Sequence, residues 1–129
     1  MDRLCTIALF GESERGLFNT PYYFDALPQL LDHLGNPPPE SRGLHYAVQA
    51  LLFQRKLVFF RVEEEGFSYQ DYFKGLRLLE SGGPITEIGA ICLPGVGDAE
   101  IIDAALPVCR SYHSIIVITE PDFYDYLRR

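Results

Sequence analysis

The sequence predicts an α/β fold: a three-layer sandwich with a four-stranded, mainly parallel sheet and helices on both faces, built by residues 1–129 as a single domain. Three observations carry this expectation. Four short apolar runs, LCTIALFG, KLVFFRV, EIGAICL and SIIVITE, contain the β-branched and aromatic residues that suit a pleated, buried surface. Segments with apolar residues three and four apart separate them, and strands separated in this way are joined as right-handed parallel crossovers. A chain of 129 residues, 47% hydrophobic and 22% charged, is large enough and apolar enough to bury one core.

Taken in order, the first run ends at Gly11, and the first helix follows on Leu27, Leu30, Leu31 and Leu34, with Asp25 placed to cap its start and Gly35 to end it. NPPPES, Asn36 to Ser41, cannot extend that helix, because consecutive prolines lack the amide donor and hold an extended backbone. Ser41 is placed to cap a second helix with its apolar face on Leu44, Ala47, Val48, Leu51 and Leu52, which leads directly into the second strand. A third helix carries Tyr69, Phe73, Leu76 and Leu78 or Leu79 on one side and stops at Ser-Gly-Gly after Glu80. Asp98 is expected to cap a fourth, which buries Ile101, Ile102, Ala105, Val108, Cys109 and Tyr112 and bends at Pro107. Pro121 opens a short last helix through Tyr126.

The charge balance excludes some partners. Eighteen acids against 11 Lys and Arg give a net charge of −7 with no basic stripe, so neither nucleic acid nor an anionic membrane is expected. Cys5, Cys92 and Cys109 have no C-x-x-C spacing, and buried reduced thiols are expected rather than a disulfide or a metal site. No apolar run approaches the roughly 18 residues that span a bilayer, and no export signal is recognised, which points to a cytoplasmic protein.

In a parallel sheet the strand-to-helix turns emerge at one edge, where ligands of open α/β folds bind. That edge would gather Glu12, Glu14, Glu63 to Glu65, Asp98, Glu120 and Asp122 into an acidic rim. Converging carboxylates suit Mg²⁺, yet acids are also common at solvated helix starts. The turn Gly95, Val96, Gly97 and Asp98 is the candidate ligand-binding segment, since backbone amides at a helix start can hold an anion. It has neither the lysine of a phosphate-binding loop nor a third glycine, and Asp98 would compete for the amides, so the turn reads better as a hinge. Ser13 does not lie in G-x-S-x-G, and His33, His45 and His113 have no acid at a telling spacing. No catalytic residue, metal ligand set or cofactor is assigned.

Aromatics cluster in TPYYFD and PDFYDYLRR. Tyr22, Tyr23, Phe24, Phe123, Tyr124 and Tyr126 are candidate interface residues, because such side chains are enriched at subunit contacts. Covering the sheet edges within one monomer is the competing reading.

The order of segments also resembles the central domain of tail-sheath proteins from contractile phages and related injection machines. A strand runs into a G-x-x-x-x-G-x-x-N-x-P phrase, here Gly11, Gly16, Asn19 and Pro21, and a helix ends in the pair Leu34 and Gly35. Tyr46, Ala47, Val48, Leu52 and Phe53 match a Y-A-V-x-x-F/L-F helix that leads to a strand closed by Arg61 and Val62. A later strand ends in Pro94 and Gly95, and the last is closed by an acid before proline. The resemblance covers roughly residues 6–122 and implies a non-catalytic structural or interaction module that self-associates or binds protein partners. Gln54, Arg55 and Lys56 stand where the family has N-G-G. With Met1 to Arg3 ahead of the first strand and Arg129 at the end, the family's terminal strand-exchanging arms are not expected. The alternative is a small cytosolic enzyme or ligand-binding domain that uses the acidic, Mg-binding rim.

Overall fold

The computed structural model describes residues 6–82 and 87–128. Its elements are β1 (Thr6–Gly11), β2 (Pro21–Phe24), α1 (Leu27–Leu34), α2 (Gly43–Leu52), β3 (Leu57–Arg61), α3 (Tyr69–Glu80), β4 (Ile88–Cys92), α4 (Ala99–Tyr112), β5 (Ile115–Val117) and α5 (Glu120–Leu127). The expected α/β layering is present, with one change: the sheet has five strands and is mixed, in the order β2-β3-β1-β4-β5. The four anticipated runs pair in parallel, and β2 adds an antiparallel edge against β3.

Alternation of side chains along each strand divides the core in two. Ile7, Leu9, Leu57 and Phe59 face one side, packed with Leu30, Leu34, Leu44, Ala47 and Phe123 from α1, α2 and α5. Ala8, Phe10, Val58 and Phe60 face the other, against Tyr72, Leu76, Ile101, Ala105 and Val108 from α3 and α4. Both faces are buried, which is why the central strands are continuous apolar runs. The register against β1 skips a residue, from Thr6 opposite Ile88 to Ile7 opposite Ala90. Gly89 lies at this irregularity, where an extra residue is accommodated without a side chain to place.

The unanticipated strand, β2, pairs Pro21 with Phe60 and Phe24 with Leu57. Proline is tolerated there because the outer edge of a sheet needs no amide donor from it. The preceding loop is shaped by Gly16 and Asn19, both in the left-handed region (φ 115° and 60°). Arg61 secures it, donating from Nη1 to the Gly16 carbonyl at 2.5 Å and placing its guanidinium 4.3 Å from the centre of the Phe18 ring.

Helix ends follow the expected pattern in part. Asp98 caps α4, accepting from Glu100 N–H at 2.8 Å, and Thr119 Oγ1 caps α5 through Asp122 N–H at 3.3 Å. Asp25 does not cap α1. Instead Gln29 Oε1 turns back to accept from the Asp25 and Ala26 amides at 2.8 and 3.1 Å. Ser41 does not cap α2 either, since its hydroxyl donates to the Pro38 carbonyl at 2.8 Å. Cys92 and Cys109 are buried free thiols, and Cys5 lies outside the described residues. Among the described residues no helix is long and apolar enough to cross a membrane.

Candidate functional site

At the carboxyl edge of the sheet, β1 and the start of α2 approach so closely that a Cβ on Gly11 would lie 2.6 Å from the Gly43 Cα. Backbone contact of this kind is open only to glycine. Beside it, the Glu12 amide donates to Glu65 Oε2 and the Glu65 amide donates to Glu12 Oε2, both at 2.8 Å. Glu65 goes further: Oε1 accepts from Arg42 N–H and Oε2 from Gly43 N–H, each at 2.9 Å. The carboxylate thus occupies the N-terminus of α2, where unpaired amides and the helix dipole favour an anion.

Of the rest of the anticipated rim, Glu14 is held in the same way, whereas Glu63 and Glu64 contribute backbone amides, and Glu120 and Asp122 lie in the first turn of α5. Glu14 Oε1 accepts from Asn36 N–H at 3.0 Å, and Asp71 Oδ2 accepts from Glu63 N–H at 2.8 Å. The Glu64 amide donates to Ser68 Oγ at 3.1 Å. Among the described residues no group of three or more His, Cys, Asp or Glu side chains is placed to hold a metal ion.

In the Gly95–Asp98 segment, Val96 N–H donates to the Leu93 carbonyl at 3.2 Å, and Gly95 has φ 81°. With Pro94 before it, this has the composition and geometry of a type II turn. Val96 is buried in the core below, while a Cβ on Gly97 would meet open space. Tyr69 Oη donates to Asp98 Oδ2 and so joins the starts of α3 and α4. That bond, with the backbone amides at the helix start, holds the Asp98 carboxyl below its ordinary range, and the same bond raises Tyr69. Asp98 therefore fills the amide cradle that an anion would use.

The six candidate interface aromatics separate by exposure. Phe24, Phe123 and Tyr126 are buried, Tyr22 and Tyr124 are partly buried, and Tyr23 is 46% exposed on the outer strand. Ser13 is buried, its hydroxyl donating to the Arg15 carbonyl at 2.8 Å. His33 lies beside the rings of Tyr22 and Phe24.

Sequence reasoning missed a second feature of this edge. A cleft of about 270 Å³ separates the first turns of α2 and α5, lined by Glu40, Ser41, Arg42, His45, Tyr46 and Glu120. Arg42, His45 and Tyr46 stand three and four places apart, the spacing that brings side chains to one flank of a helix. That signal was legible, but the partner wall from α5 was not. No family model, curated protein or solved structure matches the chain.

Proposed function

We propose that this chain is a non-catalytic structural or interaction module, of the kind that the resemblance to tail-sheath central domains implies, and that it self-associates through its β2 edge. The observation that carries the proposal is the use of the rim carboxylates. Of the anticipated rim, Glu12, Glu14, Glu65 and Asp98 each accept backbone amide bonds, as does the neighbouring Asp71. Acids bound in this way tie loops and helix starts together, and this weighs against the reading of the rim as a Mg²⁺-dependent active site.

The β2 edge offers what an association surface needs. Leu17 is 65% exposed, and Phe18 after it and Tyr23 on the strand are also exposed. Next to them, Asn19, Lys74, Arg77, Leu78 and Ser81 line a groove of about 390 Å³. Two basic side chains flanking an apolar groove, on a chain of net charge −7, complement the acidic surface of a second copy. An open strand edge can also extend its hydrogen-bond ladder across a partner. The test is the mass in solution across a wide concentration range: the proposal expects it to rise above the monomer, and a constant monomer mass would overturn it.

A further inference from the structure

We infer that copies of this chain join head to tail, the β5 edge of one pairing with the β2 edge of the next, so that one sheet continues through an open-ended row of subunits. The inference rests on association through β2 and names the surface that β2 meets. Its first support is the register of the sheet. Ile7 N–H donates to the Lys56 carbonyl and Val62 N–H to the Gly11 carbonyl, both at 2.9 Å, so by alternation Val58 also points its backbone groups at β1. Tyr23 lies opposite Val58 and therefore turns its own N–H and C=O outward. At the other edge, Leu93 N–H donates to the Val117 carbonyl at 2.8 Å, which leaves Ile116 of β5 with its N–H and C=O outward. These two residues end a single row: Tyr23, Val58, Ala8, Ile91 and Ile116 pair in turn across the five strands. A copy displaced along that row brings its Ile116 beside Tyr23, antiparallel, where each amide meets the other's carbonyl. Ile115, 37% exposed, then falls opposite Phe24.

The helices beside the two edges are complementary. Lys74, Arg77 and Leu78 lie on the β2 side of α3, since they share a groove with Asn19. On α4, Ala104 and Val108 share a groove with α3, so Ile102 and Leu106, two places from these, lie on the opposite flank, toward β5. Asp103 is exposed one turn before Leu106. The bond between Tyr69 and Asp98 sets the two helix starts level, and equal counts from there put Asp103 level with Lys74 and Leu106 level with Arg77, beside Leu78. In the head-to-tail row α4 of one copy lies along α3 of the next, so an acid meets a lysine and apolar side chains meet. Two β2 edges facing each other would instead set Lys74 and Arg77 against their own copies, which repels. Adjacent strands rotate by roughly 20–25°, so each copy turns by roughly 100–125° about the row. The repeat advances as it turns, and a contact of this kind stays open rather than closing on itself.

The test mixes two variants of the full chain. Tyr23→Lys spoils the β2 edge and keeps β5, whereas Asp103→Lys with Leu106→Lys, both exposed on α4, spoils the β5 side and keeps β2. At concentrations where the parent associates, each variant alone should sediment as a monomer, and their equimolar mixture should give a heterodimer and nothing larger. Asp103→Lys by itself should weaken association by about three- to tenfold, and Lys74→Asp added to the same chain should restore it. If the α4 variant associates as the parent does while Tyr23→Lys stays monomeric, the head-to-tail arrangement is overturned and association through β2 stands. A monomeric parent, or a Tyr23→Lys variant that associates alone, would overturn both. A mixture that stays monomeric, or a charge swap that restores nothing, would overturn the head-to-tail contact.

Discussion

Glu12 and Glu65 exchange bonds across the sheet edge, each carboxylate accepting the other's backbone amide at 2.8 Å. The pair joins the turn after β1 to the turn after β3, and through Glu65 it also caps α2. Removing the Glu65 carboxylate leaves the amides of Glu12, Arg42 and Gly43 without their acceptor. Glu65→Ala is expected to lower the unfolding free energy by about 2–4 kcal/mol, given the usual cost of a lost cap and of unsatisfied donors. Glu65→Gln should recover part of this, since its amide oxygen still accepts. Chemical denaturation of the two variants checks the order.

The approach of Gly11 to Gly43 sets a second expectation. A Cβ on Gly43 would lie 2.5 Å from the Gly11 Cα, and backbone cannot turn aside as a flexible side chain can. Gly43→Ala should destabilise by about 1–3 kcal/mol through forced displacement of α2 from β1. Gly97→Ala, with nothing near its Cβ, provides the control, and thermal unfolding of both distinguishes contact from general sensitivity.

Asp98 gives a pH dependence with a definite sign. Its folded-state carboxyl is held low, chiefly by the Tyr69 hydroxyl and also by backbone amides, so its contribution is present above the ordinary carboxyl range and is lost as pH falls through the folded value. Tyr69→Phe removes the leading cause. It should flatten the acid limb of stability against pH, measured by unfolding midpoints between neutrality and strong acid, and an unchanged limb would assign that loss to other groups.

Magnesium titration addresses the rim itself. Because Glu12, Glu14, Glu65 and Asp98 of the rim are engaged with backbone amides, and no group of three or more acids among the described residues is placed to hold a metal, saturating Mg²⁺ is expected to leave the melting temperature nearly unchanged. Specific binding to the native state would raise it by mass action, and a saturable rise would favour the enzyme reading.

Much of this fold was legible because its signals are local. Four apolar runs gave four strands, and Asp98 could be read as a cap because it bonds to an amide two residues away. The strand β2 escaped because four residues beginning at Pro21 carry little alternation, and its aromatics read equally well as an interface. The cap of α2 escaped for a different reason. Glu65 lies 22 residues beyond Gly43 in sequence, and only the parallel pairing of β1 with β3 brings it to the helix start. The acids were correctly placed near the strand ends; what they bond to depended on tertiary approach.

The central claim is association through the β2 edge, and the most direct measurement is solution mass as a function of concentration for the parent chain and for Tyr23→Lys. Tyr23 is exposed on that strand, and a lysine at a sheet edge discourages pairing with another chain. The account predicts a parent mass that rises with concentration and a folded Tyr23→Lys variant that stays monomeric. A parent that remains monomeric throughout, or a variant that associates as the parent does, would contradict it.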